Sequence, residues 1–319
     1  MASDSKEVAT DLSPLLKVYE DGRVERFFGS PYVPPSPEDP STSVSSKDIT
    51  ISADFSARLY LPNVQDSSKK FPILVYFHCG GFCTESAFSI LHHRYLNLLV
   101  SEANALAVSV EYRLAPECPL PAAYEDCWAA LQWISSHVVV NSNTDKEHWL
   151  LSHGNFDEVY IGGDSSGANI VHNIAMRAGV ESLDGDVKIL GGFLSHPFFW
   201  DPEINAENVE ETMLYRVWRL VYPAPPGGLD NPMINPLADD SPSLSQLGCS
   251  RLFVCTSEKD ELRERTGLYV QTLTESGWKG EVELVEIEGE DHCFHIFHLE
   301  SEKAKSLVKR LAFFINNNN

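Results

Sequence analysis

Short apolar runs alternate along this chain with longer stretches in which apolar residues recur every three to four positions. Residues 71–77 form a continuous apolar run and 105–110 nearly so. Residues 159–162, 189–194, 252–255 and 282–287 are four further candidates for buried strands. Between them the periodicity predicts helices over 87–102, 122–136, 167–178, 262–276 and 302–314. Alternation of this kind implies a mostly parallel sheet with helices on both faces, an α/β class. Right-handed crossovers then gather the functional loops at the carboxyl ends of the strands. Upstream, 15–28 reads as a hairpin turning at Asp21 and Gly22, a strong tight-turn pair. Residues 30–46 are rich in Pro and Ser and read as an irregular strap, while 48–52 and 57–61 alternate as half-buried strands do.

The stretch 198–248 breaks the alternation. Met213, Leu214, Trp218, Leu220 and Tyr222 suggest a helical insertion, followed by a Pro/Gly-rich loop over 223–236. We expect one domain over 1–319, with cap elements at roughly 1–46 and 198–248 lying over the sheet's carboxyl edge. Apolar density outside the sheet pattern makes Phe82, Phe199, Trp200, Met213, Leu214 and Trp218 the expected pocket walls.

Charge narrows the partners. With 46 acidic and 24 basic residues the net charge is -22, which repels nucleic acid and anionic membranes and leaves a small-molecule substrate as the expected partner. No run is long and apolar enough to span a bilayer. The first 14 residues are polar and acidic, unlike a signal or transit peptide, so the expectation is a cytoplasmic protein. Seven cysteines at unpaired spacings read as reduced thiols. Cys79 and Cys83 lack the second pair that a zinc site needs, so no metal is expected. No feature specifies an oligomeric state.

The chemistry concentrates at Gly163-Asp164-Ser165-Ser166-Gly167, which fits G-x-S-x-G between a predicted strand and a predicted helix. Small residues must flank the serine because the turn is sharp. Ser165 is the expected nucleophile. The backbone N–H of Ser166 is one expected oxyanion donor. The others are assigned to Gly80 and Gly81, in His78-Cys79-Gly80-Gly81-Phe82, at the end of the run 71–77. His78 reads as a brace for that loop. A serine needs a base and the base an orienting acid, in the chain order serine, acid, histidine. Asp260 and His292 follow late strands in that order. Glu258 and Asp291 are competing acids. Among the remaining histidines, His172 and His196 read as structural, and His295 and His298 as helix residues. No metal or organic cofactor is required by this set.

These residues resemble the plant carboxylesterase-like branch of the hormone-sensitive-lipase group of α/β-hydrolases. His78-Cys79-Gly80-Gly81 is similar to its H-G-G-G, Tyr112-Arg113-Leu114-Ala115-Pro116-Glu117 to its Y-R-L-A-P-E, and Gly163 to Asn169 to its G-D-S-x-G-x-N. Within the branch the chain looks most like the 2-hydroxyisoflavanone dehydratases and the hydrolase-derived alkaloid cyclases. The segments that suggest this are 226–232 and 276–280, with 45–48 adding less. The dehydratases carry threonine where this chain has Ser165, and the cyclases commonly lack a member of the triad that this chain keeps. The resemblance therefore implies ester hydrolysis first and a lyase reaction second. The gibberellin receptors, which share the fold but have lost the histidine, supply a third and non-catalytic expectation. Cys79 stands where the family has its first glycine. By analogy the donors come from the second and third, Gly80 and Gly81.

Overall fold

The structure, a computed structural model, describes residues 7–139, 146–201 and 209–317. Three short strands, β1 (Val8–Leu12), β2 (Leu16–Tyr19) and β3 (Val24–Arg26), form an antiparallel sheet. The larger sheet contains β4 (Ser45–Thr50), β5 (Ser56–Leu61), β6 (Phe71–Phe77), β7 (Leu106–Glu111), β8 (Gly154–Asp164), β9 (Ile189–Ser195), β10 (Arg251–Ser257) and β11 (Glu281–Ile287). Its order is β11-β10-β9-β8-β6-β7-β5-β4. The six strands from β11 to β7 pair in parallel, and β5 and β4 close one edge antiparallel. The mostly parallel sheet expected from the strand–helix alternation is present.

The helices are α1 (Ile90–Ala103), α2 (Ala122–Ser135), α3 (His148–His153), α4 (Ser166–Ala178), α5 (Met213–Val221), α6 (Arg263–Glu275), α7 (Phe294–Phe297) and α8 (Glu302–Asn316). Strand alternation splits the core into two layers. Along β6, Phe71, Ile73, Val75 and Phe77 join the layer that holds Trp128 of α2, Ile170 of α4 and Tyr269 of α6. Leu74 and Tyr76 join the opposite layer, with Leu96 of α1 and Leu311 of α8. Both faces of β6 are thus dry, which is why its sequence is a continuous apolar run rather than an alternating one.

Four elements depart from expectation. β11, among the expected buried strands, is an edge strand in which only Val285 is buried. β1 lies in the segment read as merely polar. Only Leu12 of its residues is buried, so the apolar signal is a single residue. β5 is covered on both faces rather than half-buried, because Arg58 lies inside, paired with Asp48 at 2.6 Å. β4 begins at Ser45, three residues before the stretch read as a strand.

Chain order reverses at the centre of the sheet: β7 lies on one side of β6 and β8 on the other. The carboxyl ends of β6 and β8 meet there, with Phe77 opposite Gly163. Loops diverging from such a switch point leave a crevice between them.

Candidate active site

The crevice is built from backbone geometry first. Ser165 sits at φ 54°, ψ -115°, between the end of β8 and the start of α4. A Cβ on Gly163 would stand 2.5 Å from the Gly167 backbone, and one on Gly167 would stand 2.0 Å from the Phe77 carbonyl oxygen. Both contacts are to main chain, so no side-chain movement relieves them. The two glycines let strand, turn and helix touch, and the serine is thrust out at the helix's positive end. Asn169 secures α4 from below. Its amide donates to the carbonyls of Phe198 (3.0 Å) and Met233 (2.9 Å), and its oxygen accepts the Tyr124 hydroxyl.

The loop after β6 is shaped by the same need for closeness. Gly80 has φ 118° and Gly81 φ 59°, and a Cβ on Gly80 would fall 2.1 Å from the Thr84 carbonyl oxygen. The Gly80 carbonyl accepts from the backbone of Cys83 and Thr84 and from the Thr84 hydroxyl, which closes the turn. His78 stacks on Tyr112 with ring centroids 4.2 Å apart and bonds the Cys79 carbonyl through Nδ1 at 2.7 Å. Burial pushes its pKa down to about 4, so it stays neutral and braces the loop. Arg26 of β3 bonds the Cys83 carbonyl at 2.7 Å and pairs with Glu117, tying the N-terminal sheet to the same turn. Ser166 opens α4, where a helix leaves its first N–H groups without an intrahelical acceptor.

Two late loops are zipped together. The Glu258 carboxylate accepts from the Gly289 N–H at 2.7 Å, and the Lys259 N–H bonds the Glu290 carbonyl at 3.0 Å. This sets Asp260 against His292. The His292 Nδ1–H donates to Asp260 Oδ2 at 2.9 Å, and the Ser165 hydroxyl donates to His292 Nε2 at 2.9 Å. The other Asp260 oxygen accepts the Leu262 N–H, also at 2.9 Å. Asp260 is almost wholly buried, while the His292 side chain keeps a third of its surface open to the crevice. Burial favours the neutral imidazole, but the hydrogen bond and charge of Asp260 outweigh it and raise the His292 pKa, with Glu261 and Asp291 adding to the effect. The competing acids bond backbone rather than the His292 ring. Glu258 holds Gly289, and the Asp291 carboxylate accepts the backbone N–H of His292.

Ser165, Asp260, His292, Gly80 and Gly81 all border one cavity of about 480 Å³, within the usual size of a small-molecule pocket. Met213, Leu214 and Val217 of α5 supply one wall, Phe198 and Leu262 another, and Leu15, Phe28 and Phe297 the mouth. Phe28 and Phe297 meet edge to face at 6.0 Å. Of the aromatic walls expected from sequence, Phe82, Phe199, Trp200 and Trp218 lie in the core instead, each at most 4% exposed. Trp218 stacks behind Phe198 at 4.8 Å, and Phe199 packs on Tyr269 at 5.0 Å. Sequence reasoning passed over Leu15, Phe28, Phe198, Val217, Leu262 and Phe297. Phe198 stood beside Phe199 and Trp200 in the same run, where only the direction of each side chain distinguishes wall from core. Residues 1–6 and 202–208 of the two expected cap segments lie outside the described residues.

Three further histidines bond to buried partners. His172 meets the Tyr269 hydroxyl at 3.1 Å, with its pKa driven down to about 3 by burial. His196 meets Ser257 at 2.8 Å. His295 lies in α7, as expected of a helix residue, and is fully buried, with Nε2 2.6 Å from Asp164. His298 is exposed. Among the described residues no group of three His, Cys, Asp or Glu side chains is disposed to hold a metal ion, and no helix is long and apolar enough to cross a membrane.

Comparison with known proteins agrees with this architecture. The sequence profile of the α/β-hydrolase fold matches residues 74–296. A 2-hydroxyisoflavanone dehydratase of Glycyrrhiza echinata is 54% identical over 318 residues, covering 98% of this chain and 97% of the relative. A tabersonine synthase of Catharanthus roseus is 50% identical over 98% of this chain and 99% of its own, and a probable carboxylesterase of Arabidopsis thaliana is 42% identical over 97% and 98%. Among solved structures, a hyperthermophilic esterase from Pyrobaculum calidifontis superposes with a TM-score of 0.67 at 28% identity, covering 85% of each chain. The chain belongs to the α/β-hydrolase fold family, as a carboxylesterase-like member with plant relatives that include dehydratases and alkaloid synthases.

Proposed function

We propose that the chain is a serine carboxylesterase acting on small apolar esters of plant specialised metabolism. The observation that carries this reading is the continuous relay from Ser165 through His292 to Asp260, with both bonds at 2.9 Å, opening into an apolar cavity. Ser165 Oγ adds to the ester carbonyl while its proton passes to His292 Nε2. Asp260 holds the imidazole in the tautomer that can receive it and stabilises the resulting imidazolium. The N–H groups of Gly80, Gly81 and Ser166 bind the oxyanion, each worth about 3 kcal/mol of transition-state stabilisation. Collapse expels the alcohol, which takes the proton from His292. Water then attacks the acyl-enzyme, again giving its proton to His292, and collapse releases the acid as His292 returns that proton to Ser165 Oγ. No metal or organic cofactor enters these steps.

The cap assignment belongs to the same reading. The described parts of the two cap segments, 7–46, 198–201 and 209–248, cover the site within a single domain, supported by Leu15 and Phe28 at the mouth and α5 along the wall. A cytoplasmic location is supported by seven free cysteines.

A second reading is favoured by the dehydratase and synthase names of relatives at 54% and 50% identity. The same oxyanion donors can stabilise an enolate while His292 removes a proton beside a carbonyl. Substitution separates the two. Ser165→Thr keeps a hydroxyl but adds a methyl group to a crowded turn. It should cut turnover of p-nitrophenyl esters at least about tenfold, some 1.4 kcal/mol of barrier. Dehydration of a 2-hydroxyisoflavanone, if present, should be preserved or raised. Undiminished ester hydrolysis by Ser165→Thr contradicts covalent attack by Ser165 and leaves the lyase reading standing.

A further inference from the structure

Five buried polar side chains beside the reacting groups are not used by the mechanism: Cys79, Tyr76, His92, Asp164 and His295. Each is at most 4% exposed. They come from different elements. Cys79 precedes Gly80 in the loop after β6, Tyr76 lies in β6, and His92 in α1. Asp164 ends β8 beside Ser165, and His295 lies in α7, three residues beyond His292.

Their proton directions follow from one carboxylate. Asp164 accepts the Tyr76 hydroxyl at Oδ2 and the His295 Nε2–H at Oδ1, the latter at 2.6 Å. Having given its proton, the Tyr76 oxygen accepts from His92 Nδ1, 3.1 Å away. Burial keeps His92 neutral, so with its proton on Nδ1 its Nε2 is an acceptor. The Cys79 thiol lies 3.7 Å from that nitrogen and donates to it. Glu85 Oε2 stands 3.9 Å from the same nitrogen, beyond hydrogen-bond reach, and takes the Ser30 and Ser89 hydroxyls instead. His196 stacks on His295 at 5.4 Å, and Tyr95 meets it edge-on at the same distance.

We infer that this hydrogen-bond chain is a positioning device, with Asp164 as its hub, which ties the oxyanion loop, the serine turn and the histidine loop into one buried unit. The inference rests on the reading of Ser165 and His292 as the reacting pair. Asp164 is covalently next to the nucleophile and His295 follows the base by three residues, so their bond spans the Ser165–His292 contact from behind. At the other end Cys79 gives the oxyanion loop a thiol that anchors it to α1, where the similar H-G-G-G pattern has a glycine that carries no donor.

The test compares His295→Leu, His295→Gln and Tyr76→Phe in the full chain, with p-nitrophenyl acetate and a fluorophosphonate probe. His295→Leu should lower kcat and the Ser165 labelling rate by roughly 100-fold, the effect of displacing reacting atoms by ~1 Å. KM should stay within about threefold, since ground-state binding is not touched. His295→Gln, whose amide can donate to Asp164, should return kcat to within about tenfold of wild type. Tyr76→Phe removes one hydroxyl from the chain and should cost roughly tenfold in kcat. It carries the test if His295→Leu fails to fold, as judged by thermal unfolding. Wild-type kcat in folded Tyr76→Phe or His295→Leu, a loss confined to KM, or a folded His295→Gln no better than His295→Leu would each overturn the inference. A wild-type chain labelled at Ser165 that hydrolyses no ester overturns the esterase reading alone, because the labelling rates still report on the chain.

Discussion

At the scale of single residues, the site is governed by one charge placed beside one imidazole. Asp260 raises the His292 pKa against the opposing effect of burial. On the proposed mechanism His292 must be neutral to accept the Ser165 proton. The acid limb of kcat/KM should therefore have its midpoint above the ordinary histidine value of about 6.5. Asp260→Asn should move that midpoint down and lower kcat by roughly 10⁴, because the favoured tautomer is lost. The stability linkage has the matching sign. A raised imidazole contributes stability below its unfolded pKa, and the contribution fades as pH rises through the folded value. Titration of the His292 ring protons by NMR reads the shift directly, and a midpoint at or below the ordinary value would contradict the assigned electrostatics. Glycines divide just as sharply by neighbourhood. Gly167→Ala presses a methyl group against the Phe77 carbonyl and should lose at least about 2 kcal/mol in urea unfolding. Gly267, within α6, has nothing within 4 Å of an added Cβ, so Gly267→Ala should gain about 1 kcal/mol from helix propensity.

At the scale of elements, α5 supplies one wall of the cavity. Its N-terminus is fixed by the Thr212 hydroxyl accepting the Tyr215 N–H at 3.2 Å. Met213, Leu214 and Val217 recur at helical spacing and turn to the cavity, while Trp218 turns to the core. Val217 Cγ1 would lie 3.4 Å from a Cβ built on Gly81, so it stands directly over the oxyanion loop. Val217→Phe should leave p-nitrophenyl acetate hydrolysis near wild type and cut kcat/KM for bulky aromatic esters by about tenfold or more. Equal effects on both esters would show that α5 does not face the acyl or alcohol group. The sequence pattern placed this helix because its apolar residues fall outside the strand–helix alternation. Apolarity alone did not say which residues look inward to the core and which toward the cavity. Phe82, Phe199, Trp200 and Trp218 carry the same signal as Met213 and Phe198, and only tertiary packing separates them. Short elements were less legible still. The four-residue α7 has no room for a periodicity, so the burial of His295 was invisible until Asp164 was seen beneath it.

At the scale of the whole molecule, the proposed function rests on topology. The switch point between β6 and β8 brings Gly80, Gly81 and Ser165 to one crevice, and the late strands β10 and β11 deliver Asp260 and His292 to the same edge. That these five positions meet at one edge could be read in advance, because turn chemistry, strand ends and chain order all constrained them. The mouth could not, since Leu15 and Phe28 arrive from a separate antiparallel sheet whose docking leaves no periodic trace. The central claim is that Ser165 forms a covalent acyl intermediate. Rapid acid quench during turnover of a slowly deacylated p-nitrophenyl ester, followed by peptide mass spectrometry, tests it most directly. The account predicts an acyl mass increment on the peptide containing Ser165, formed within the burst of p-nitrophenol and absent in Ser165→Ala. Sustained ester turnover with no increment on that peptide, or with the increment on another residue, would contradict it.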